Sequence, residues 1–401
     1  MTLDHTATPA RGLRRTGTEI PAWRGLAVFV VREAASPLLD EAVAGIARGL
    51  EILDVVTLDP RQRAAARSGI AADWSAPAGG GPHAMVVACD VAPPEGATGV
   101  RSVAQRIADV LDFTEKRVLR GAPQGGRYAP VHVSPSPQQA LDYLEVLSDL
   151  DVQARLLPRV QAIAEACAIP FPLVGMLGGE APGFRSRVAL VEHPVHGRAV
   201  CKIFRPGAHE SFRRELRART ELADLPEVPE LLEHGDNWLL TPFYTDTGAH
   251  VVRKLPGELA QLRPQVVRDL VRFVRDLHER GRYMLDLSPH NLVSDACAGL
   301  KVLDLEFVLD YPAPQPEWEA CWSLHGVPRA LRTVGDGLPD LVLTKGVGNS
   351  VFHPAVCGMR RPQLLAPGRR RETPRRIATQ LAWSAALGVA GRVHPALRGD
   401  R

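Results

Sequence analysis

The sequence predicts an α+β protein of two domains, and three observations carry that prediction. The chain has 401 residues, whereas a typical domain has roughly 150. From Leu26 to about Leu147, strand-like apolar runs alternate with amphipathic helices. After Pro170-Phe-Pro172 the pattern changes to a hairpin followed by helices. Hydrophobic residues at 45% and charged residues at 23% supply more than one core and exclude disorder throughout.

In the first domain, Leu26-Ala-Val-Phe-Val-Val31 reads as a buried strand, because a continuous apolar run leaves no polar face. Ser36 to Leu50 follows as a helix, with Leu38, Ala42, Ile46 and Leu50 four residues apart. Ile52 to Leu58 is a second strand, residues 68 to 82 are a Gly, Ala, Pro and Ser loop, and Ala84 to Cys89 is a third strand. Val103 to Phe113 is helical, Pro130 to Val133 is strand-like, and Ser136 caps a helix at Gln138 to Leu147. Asp149 to Ala168 reads as a connecting helix interrupted near Pro158.

The second domain opens with strands Val188 to Glu192 and Ala199 to Phe204 around a turn at His193-Pro-Val-His-Gly197, then a helix over His209 to Leu225. Pro264 to Arg280 is the clearest helix of the chain, with Val266, Val267, Leu270, Val274 and Leu277 on one face, proline near its start and Gly281 past its end. These boundaries divide the chain into a flexible N-terminus (1–23), a first domain (24–148), a helical linker (149–174), a second domain (175–345) and a basic C-terminal extension (346–401). The extension carries Arg360-Arg361, Arg369-Arg-Arg371 and Arg375-Arg376, and a helix begun by Thr373-Pro374.

Several function classes fall away on composition. A net charge of +3 offers no general electrostatic case for nucleic acid or a membrane surface. No apolar run is long enough to span a bilayer, and Met1 to Ile20 holds no apolar targeting region, so a cytoplasmic protein is expected. Cys89, Cys167, Cys201, Cys297, Cys321 and Cys357 lie far apart without a C-x-x-C pair, which speaks for buried free thiols rather than zinc or disulfides. Lys116, Lys202, Lys254, Lys301 and Lys345 are the only lysines, so a lysine inside an apolar strand calls for a reason.

Phosphoryl transfer from a nucleotide needs a cation on the phosphates, oxygen ligands for magnesium and a carboxylate to orient the attacking hydroxyl. The second domain holds such residues in order. Lys202 lies in Ala-Val-Cys-Lys-Ile-Phe, matching a V-A-I-K strand, and Glu215 on the next helix is placed to pair with it. Asp286 and Asn291 match D-x-x-x-x-N, and Asp304 in Leu300-Lys-Val-Leu-Asp-Leu-Glu-Phe307 takes the place of the D-F-G aspartate. Glu306, two residues on, shares its side of the strand and is a further candidate for the metal. Asn237 to Phe243 sits where an interlobe hinge meets adenine, which makes Leu240, Thr241 and Phe243 nucleotide candidates together with Gly178, Gly179 and Gly183 of a reduced glycine loop.

On these residues, about 175 to 310 resembles the bilobal protein-kinase-like fold. Met284-Leu285 replaces His-Arg before the aspartate and Ser288 replaces the usual lysine. Asp-Leu-Ser-Pro-His-Asn with a later Leu-Asp-Leu-Glu is similar to the atypical bacterial branch of aminoglycoside phosphotransferases and lipopolysaccharide or polysaccharide kinases. The resemblance implies ATP and Mg2+, with Lys202 on the α/β-phosphates, Glu215 fixing Lys202, Asp286 orienting the acceptor, and Asn291 and Asp304 holding metal.

The first domain resembles nucleoside diphosphate kinase, a ferredoxin-like fold. Val118-Leu-Arg-Gly121, Gly126-Arg127 and Val131-His-Val-Ser134 are similar to that family's I-R-G-D-F, G-R-N and I-H-G-S-D, and Gly81-Pro-His-Ala-Met-Val-Val87 to its G-P strand. This resemblance implies His132 as a phosphorylated nucleophile and Arg120 as a phosphate ligand.

The expected function is an ATP-dependent kinase that moves the γ-phosphate to a hydroxyl of a sugar or polysaccharide. A serine/threonine protein kinase, a nucleoside diphosphate kinase acting through His132, and a nucleotide-binding pseudoenzyme scaffold stay open. The expected partner is a sugar, polysaccharide or protein acceptor, with no specific nucleic acid and no transmembrane segment. The sequence leaves the oligomeric state open.

Overall fold

The computed structural model describes residues 25–91, 100–121, 128–145, 150–178, 185–254, 260–328, 331, 349–359 and 364–365. The expected flexible N-terminus, the arginine clusters from Arg360 onward and the helix at Thr373 lie outside them. The fold is α+β, in two compact units. The first takes in residues up to Ala168 with Gly178–Arg187 and Arg205–Gly207; the second takes in Ile169–Leu177, Val188–Phe204 and the chain from Ala208. Among the described residues no helix is long and apolar enough to cross a membrane.

The first unit is built on a four-stranded sheet of β1 (Leu26–Arg32), β2 (Glu51–Thr57), β3 (Pro82–Cys89) and β4 (Val131–Val133), in the order β2-β3-β1-β4. Every neighbouring pair is antiparallel. All seven residues of β1 are buried, because helices cover both faces. Alternate residues Ala27, Phe29 and Val31 meet Ala42 and Ile46 of α1 (Leu39–Ala47) and Ile107, Val110 and Val118 of α3 (Val100–Gly121). Leu26, Val28 and Val30 point the other way, to Ala66 of α2 (Pro60–Gly69), Leu141 and Leu144 of α4 (Pro137–Glu145), and Leu156 and Val160 of α5 (Leu150–Ala166). The helix that the sequence suggested as a connection therefore contributes to this core, and it runs unbroken through Pro158. Ser136 Oγ accepts from Gln139 N at 3.2 Å, the cap its position predicts.

Arg205 and Glu51, far apart in sequence, are both buried in this unit and pair at 2.6 Å. Arg205 also donates to the carbonyls of Ala47 and Arg48 at 2.6 and 2.9 Å, satisfying acceptors that the end of α1 leaves open.

The second unit begins with a five-stranded sheet, β5-β6-β7-β9-β8, from β5 (Leu173–Gly178), β6 (Ser186–His193), β7 (Gly197–Phe204), β8 (Glu233–His234) and β9 (Trp238–Pro242). Gly197, at φ +64°, makes the β6–β7 turn that a side chain would strain. On one face Phe204 and Leu239 pack on Phe212 of α6 (His209–Glu221); on the other, Ala189, Cys201 and Leu240 form a separate cluster.

A larger core surrounds α7 (Pro264–Glu279), where Val267, Leu270, Val274 and Leu277 are fully buried. Three short pairs extend it: β10 (Val251–Lys254) with β11 (Ala260–Leu262), β12 (Arg282–Met284) with β15 (Val308–Asp310), and β13 (Leu292–Asp295) with β14 (Gly299–Val302). The sequence reading ends the second domain at 345, yet Val351, Phe352, Val356 and Cys357 pack into this same core.

Candidate active site

Lys202 comes from the centre of β7, and the period of a strand aims its side chain, with those of Val200 and cross-strand Leu239, toward α6. Its Nζ donates to Glu215 Oε2 at 2.6 Å and to Asp304 Oδ1 at 2.9 Å. Burial works against the charge on Lys202, but the carboxylates of Asp304, Glu215 and Glu306 outweigh it and raise the pKa. Asp304 is the converse case. Its burial favours the neutral acid, yet the Lys202 charge and hydrogen bond hold its carboxyl below the usual range.

Glu215 is fully buried, and its second oxygen accepts from Arg219 one helical turn on, at 2.5 Å. Arg219 Nη2 also donates to Leu303 O at 2.7 Å, which ties the helix to the residue before Asp304. Arg214 Nε does the same for Glu306 O at 2.9 Å. Neither arginine was singled out in the sequence. The i,i+4 Glu-Arg spacing was a usable signal for Arg219, but the backbone acceptors were not legible.

Asp286 lies between buried Leu285 and Leu287, half-buried itself, with φ +60°. For a residue with a Cβ the left-handed region costs about 1–2 kcal/mol, less for aspartate. Asn291 Nδ2 donates to Asp286 O at 3.1 Å and Asn291 O accepts from Leu303 N at 2.8 Å, so the loop after Asp286 is joined to the segment carrying Asp304. Among the described residues Asn291 Oδ1 has no hydrogen-bond donor. Asn291, Asp304 and Glu306 supply oxygen donors alone, the chemistry that suits a hard divalent cation such as Mg2+.

The remaining candidates are placed differently. Gly178 ends β5, where a Cβ would meet nothing within 4 Å and no left-handed φ demands glycine; Gly179 and Gly183 lie outside the described residues. Thr241 is cross-strand from Val200 and half-buried, and Phe243 is exposed just past β9. Leu240 is cross-strand from Cys201 in the cluster on the opposite face from Lys202, and its carbonyl accepts from Leu232 N at 2.9 Å. Counting by two from Lys202 across the strand pair separates Leu239 from Leu240.

His132, on β4 of the first unit, has Nε2 at 2.9 Å from Tyr143 Oη, and its ring packs edge-on to Trp74. Burial and the nearby Arg32 charge lower its pKa and keep the imidazole neutral. Val118-Leu-Arg-Gly121 forms the end of α3, and the side chain of Arg120 lies outside the described residues.

Among the described residues one further cluster has metal-ligand composition: His193 and His196 each place Nε2 3.3 Å from Glu233 Oε1. His193 Nδ1, however, accepts from Val195 N and His196 N at 3.2 Å. A neutral ring then carries its proton on Nε2 and has no lone pair there for a metal.

A family model described as the phosphotransferase enzyme family matches residues 180–288, a stretch that contains Lys202, Glu215 and Asp286. The match supports an enzyme acting as a kinase or phosphotransferase. It also implies a kinase-like fold for the matched segment. Comparison with curated proteins gave no match.

Proposed function

We propose that the protein transfers the γ-phosphate of ATP to a hydroxyl of a sugar or polysaccharide, with Asp286 as the carboxylate that orients the hydroxyl and accepts its proton. The bond from γ-phosphorus to the β-bridging oxygen breaks as the acceptor oxygen bonds to phosphorus, and ADP leaves. Lys202 neutralises charge on the α/β-phosphates. Glu215, held by Arg219, keeps Lys202 aimed. Asn291 and Asp304 would hold Mg2+, with Glu306 beside them; the ion would supply electrostatic stabilisation of the phosphates. Val200 and Thr241 border the adenine on the Lys202 face, and Phe243 lies beyond them.

The observation that carries this reading is the double engagement of the Lys202 ammonium by Glu215 and Asp304, the latter 102 residues away. The sugar acceptor rests on the likeness of Asp286 to Asn291 and Leu303 to Glu306 to the atypical branch, and a protein hydroxyl is the first alternative.

A second reading concerns the first unit. The order β2-β3-β1-β4 with antiparallel neighbours supports a ferredoxin-like domain. A neutral His132 is the form of imidazole that attacks phosphorus, although its Nε2 is already engaged by Tyr143.

Transfer from γ-labelled ATP with Mg2+ tests both readings, using intact protein, Asp286→Ala and His132→Ala. Acid-stable label on an added glycan, lost in Asp286→Ala and kept in His132→Ala, is expected. Label that survives Asp286→Ala overturns the leading reading, and acid-labile label on the protein lost only with His132→Ala moves the chemistry to the first unit.

A further inference from the structure

Asp286 holds a left-handed backbone conformation, and side chains from outside the loop hold the backbone on both sides of it. Its immediate neighbours are gripped by two buried polar side chains from distant segments. Asn349, 4% exposed, accepts from Leu287 N through Oδ1 at 2.7 Å and donates through Nδ2 to Met284 O at 2.9 Å. The same Nδ2 donates to Ser323 O at 2.8 Å. Ser323, fully buried, accepts from Met284 N through Oγ at 2.9 Å. Asn349 therefore bridges both sides of Asp286 with one planar amide, and Ser323 holds the strand that leads into it.

We propose that Asn349 is a positioning residue for phosphoryl transfer: its amide clamps the backbone before and after Asp286, and Ser323 braces the clamp, so that the Asp286 carboxylate faces the acceptor hydroxyl. The inference rests on the reading of Asp286 given above. No hydrogen bond joins Asn349 to Lys202, Glu215, Asn291 or Asp304, so the clamp acts on the orientation of the carboxylate and leaves the nucleotide side of the site alone. Both donors of the amide and one acceptor are used, so a carboxylate at this position keeps the contact to Leu287 N but faces the carbonyls of Met284 and Ser323 with no proton to offer.

The test is steady-state turnover of Mg2+-ATP with water as acceptor in the full-length protein, comparing wild type, Asn349→Ala, Asn349→Asp, Ser323→Ala and Asp286→Ala. Amide exchange over 284–287 and cooperative unfolding are measured on each. The expected result is a fall in kcat of at least about tenfold in both Asn349 variants, a smaller fall in Ser323→Ala, and a KM for ATP within about twofold of wild type. Faster exchange confined to 284–287 in proteins that still unfold cooperatively accompanies it. A folded Asn349→Asp with kcat within about twofold of wild type overturns the proposal. A KM that rises in step with the loss of kcat also overturns it, because the whole site has then collapsed. If neither Asn349 variant folds, Ser323→Ala decides by the same split, and if it too fails to fold, these residues are structural and the proposal falls. A wild type whose turnover survives Asp286→Ala overturns the underlying reading instead, an outcome visible before any Asn349 variant is compared.

Discussion

Glu215 sits at full burial with its two oxygens divided between cations, Oε2 to Lys202 and Oε1 to Arg219. A buried carboxylate is tolerable only when paired, and removing one partner leaves desolvated charge behind. Arg219 is itself 4% exposed, so solvent does not take its place. Arg219→Ala is expected to destabilise the protein by about 3–5 kcal/mol, measured by urea unfolding, and to lower phosphoryl transfer because Glu215 is then free to rotate away from Lys202. Unchanged stability would mean that Lys202 alone satisfies Glu215. At this scale the sequence was partly legible: Lys202, Glu215, Asp286, Asn291 and Asp304 stand in motif order, and the structure brings Lys202, Glu215 and Asp304 into contact. Arg219 left a trace in its i,i+4 spacing from Glu215, but Arg214, Ser323 and Asn349 were not legible, because each acts largely on backbone groups whose place depends on remote segments.

Among the elements, α7 was the most predictable, since Val266, Val267, Leu270, Val274 and Leu277 recur at helical spacing and all are buried, as are Val271 and Phe273. Leu270 is fully enclosed by that core, and Leu270→Ala is expected to cost about 2–5 kcal/mol, read as a lower unfolding midpoint at unchanged urea slope. The helix α3 is the contrary case. The sequence stops it at Phe113, whereas it continues to Gly121. The apolar stripe Ile107, Val110 and Val118 is interrupted by Thr114, which is fully buried and donates its hydroxyl to Val110 O at 2.8 Å. A satisfied threonine thus occupies a core position without being apolar. Gly45 of α1 lies so close that a Cβ there would stand 2.8 Å from the Thr114 hydroxyl oxygen, so the small polar residue marks the place where two helices approach. In α5, Pro158 signalled an interruption, but Leu156 and Val160 on either side are buried and hold the helix through it.

For the molecule as a whole, five of the six cysteines are buried free thiols and Cys297 is exposed. Burial pushes the Cys89 and Cys201 thiols up to about 12; in Cys167, burial with the Glu51 charge raises it to about 11. At pH 8 these three stay protonated, and a thiol-specific reagent is expected to modify one cysteine per chain rapidly, with the others reacting only on unfolding. Loss of the fast phase in Cys297→Ser checks the assignment; a second fast thiol would mean that one of the cores opens.

Local pattern was enough for the α+β class, the buried strand Leu26 to Val31, the hairpin around Gly197 and the helix at Pro264, because strand and helix periods and turn chemistry are written in neighbouring residues. The sheet order, the face on which Leu240 lies, the continuation of the second core as far as Leu364 and the grip of Asn349 on the loop around Asp286 were decided by tertiary structure. Each of these depends on which distant group satisfies a buried backbone donor, acceptor or apolar surface, and such pairings follow no period along the chain.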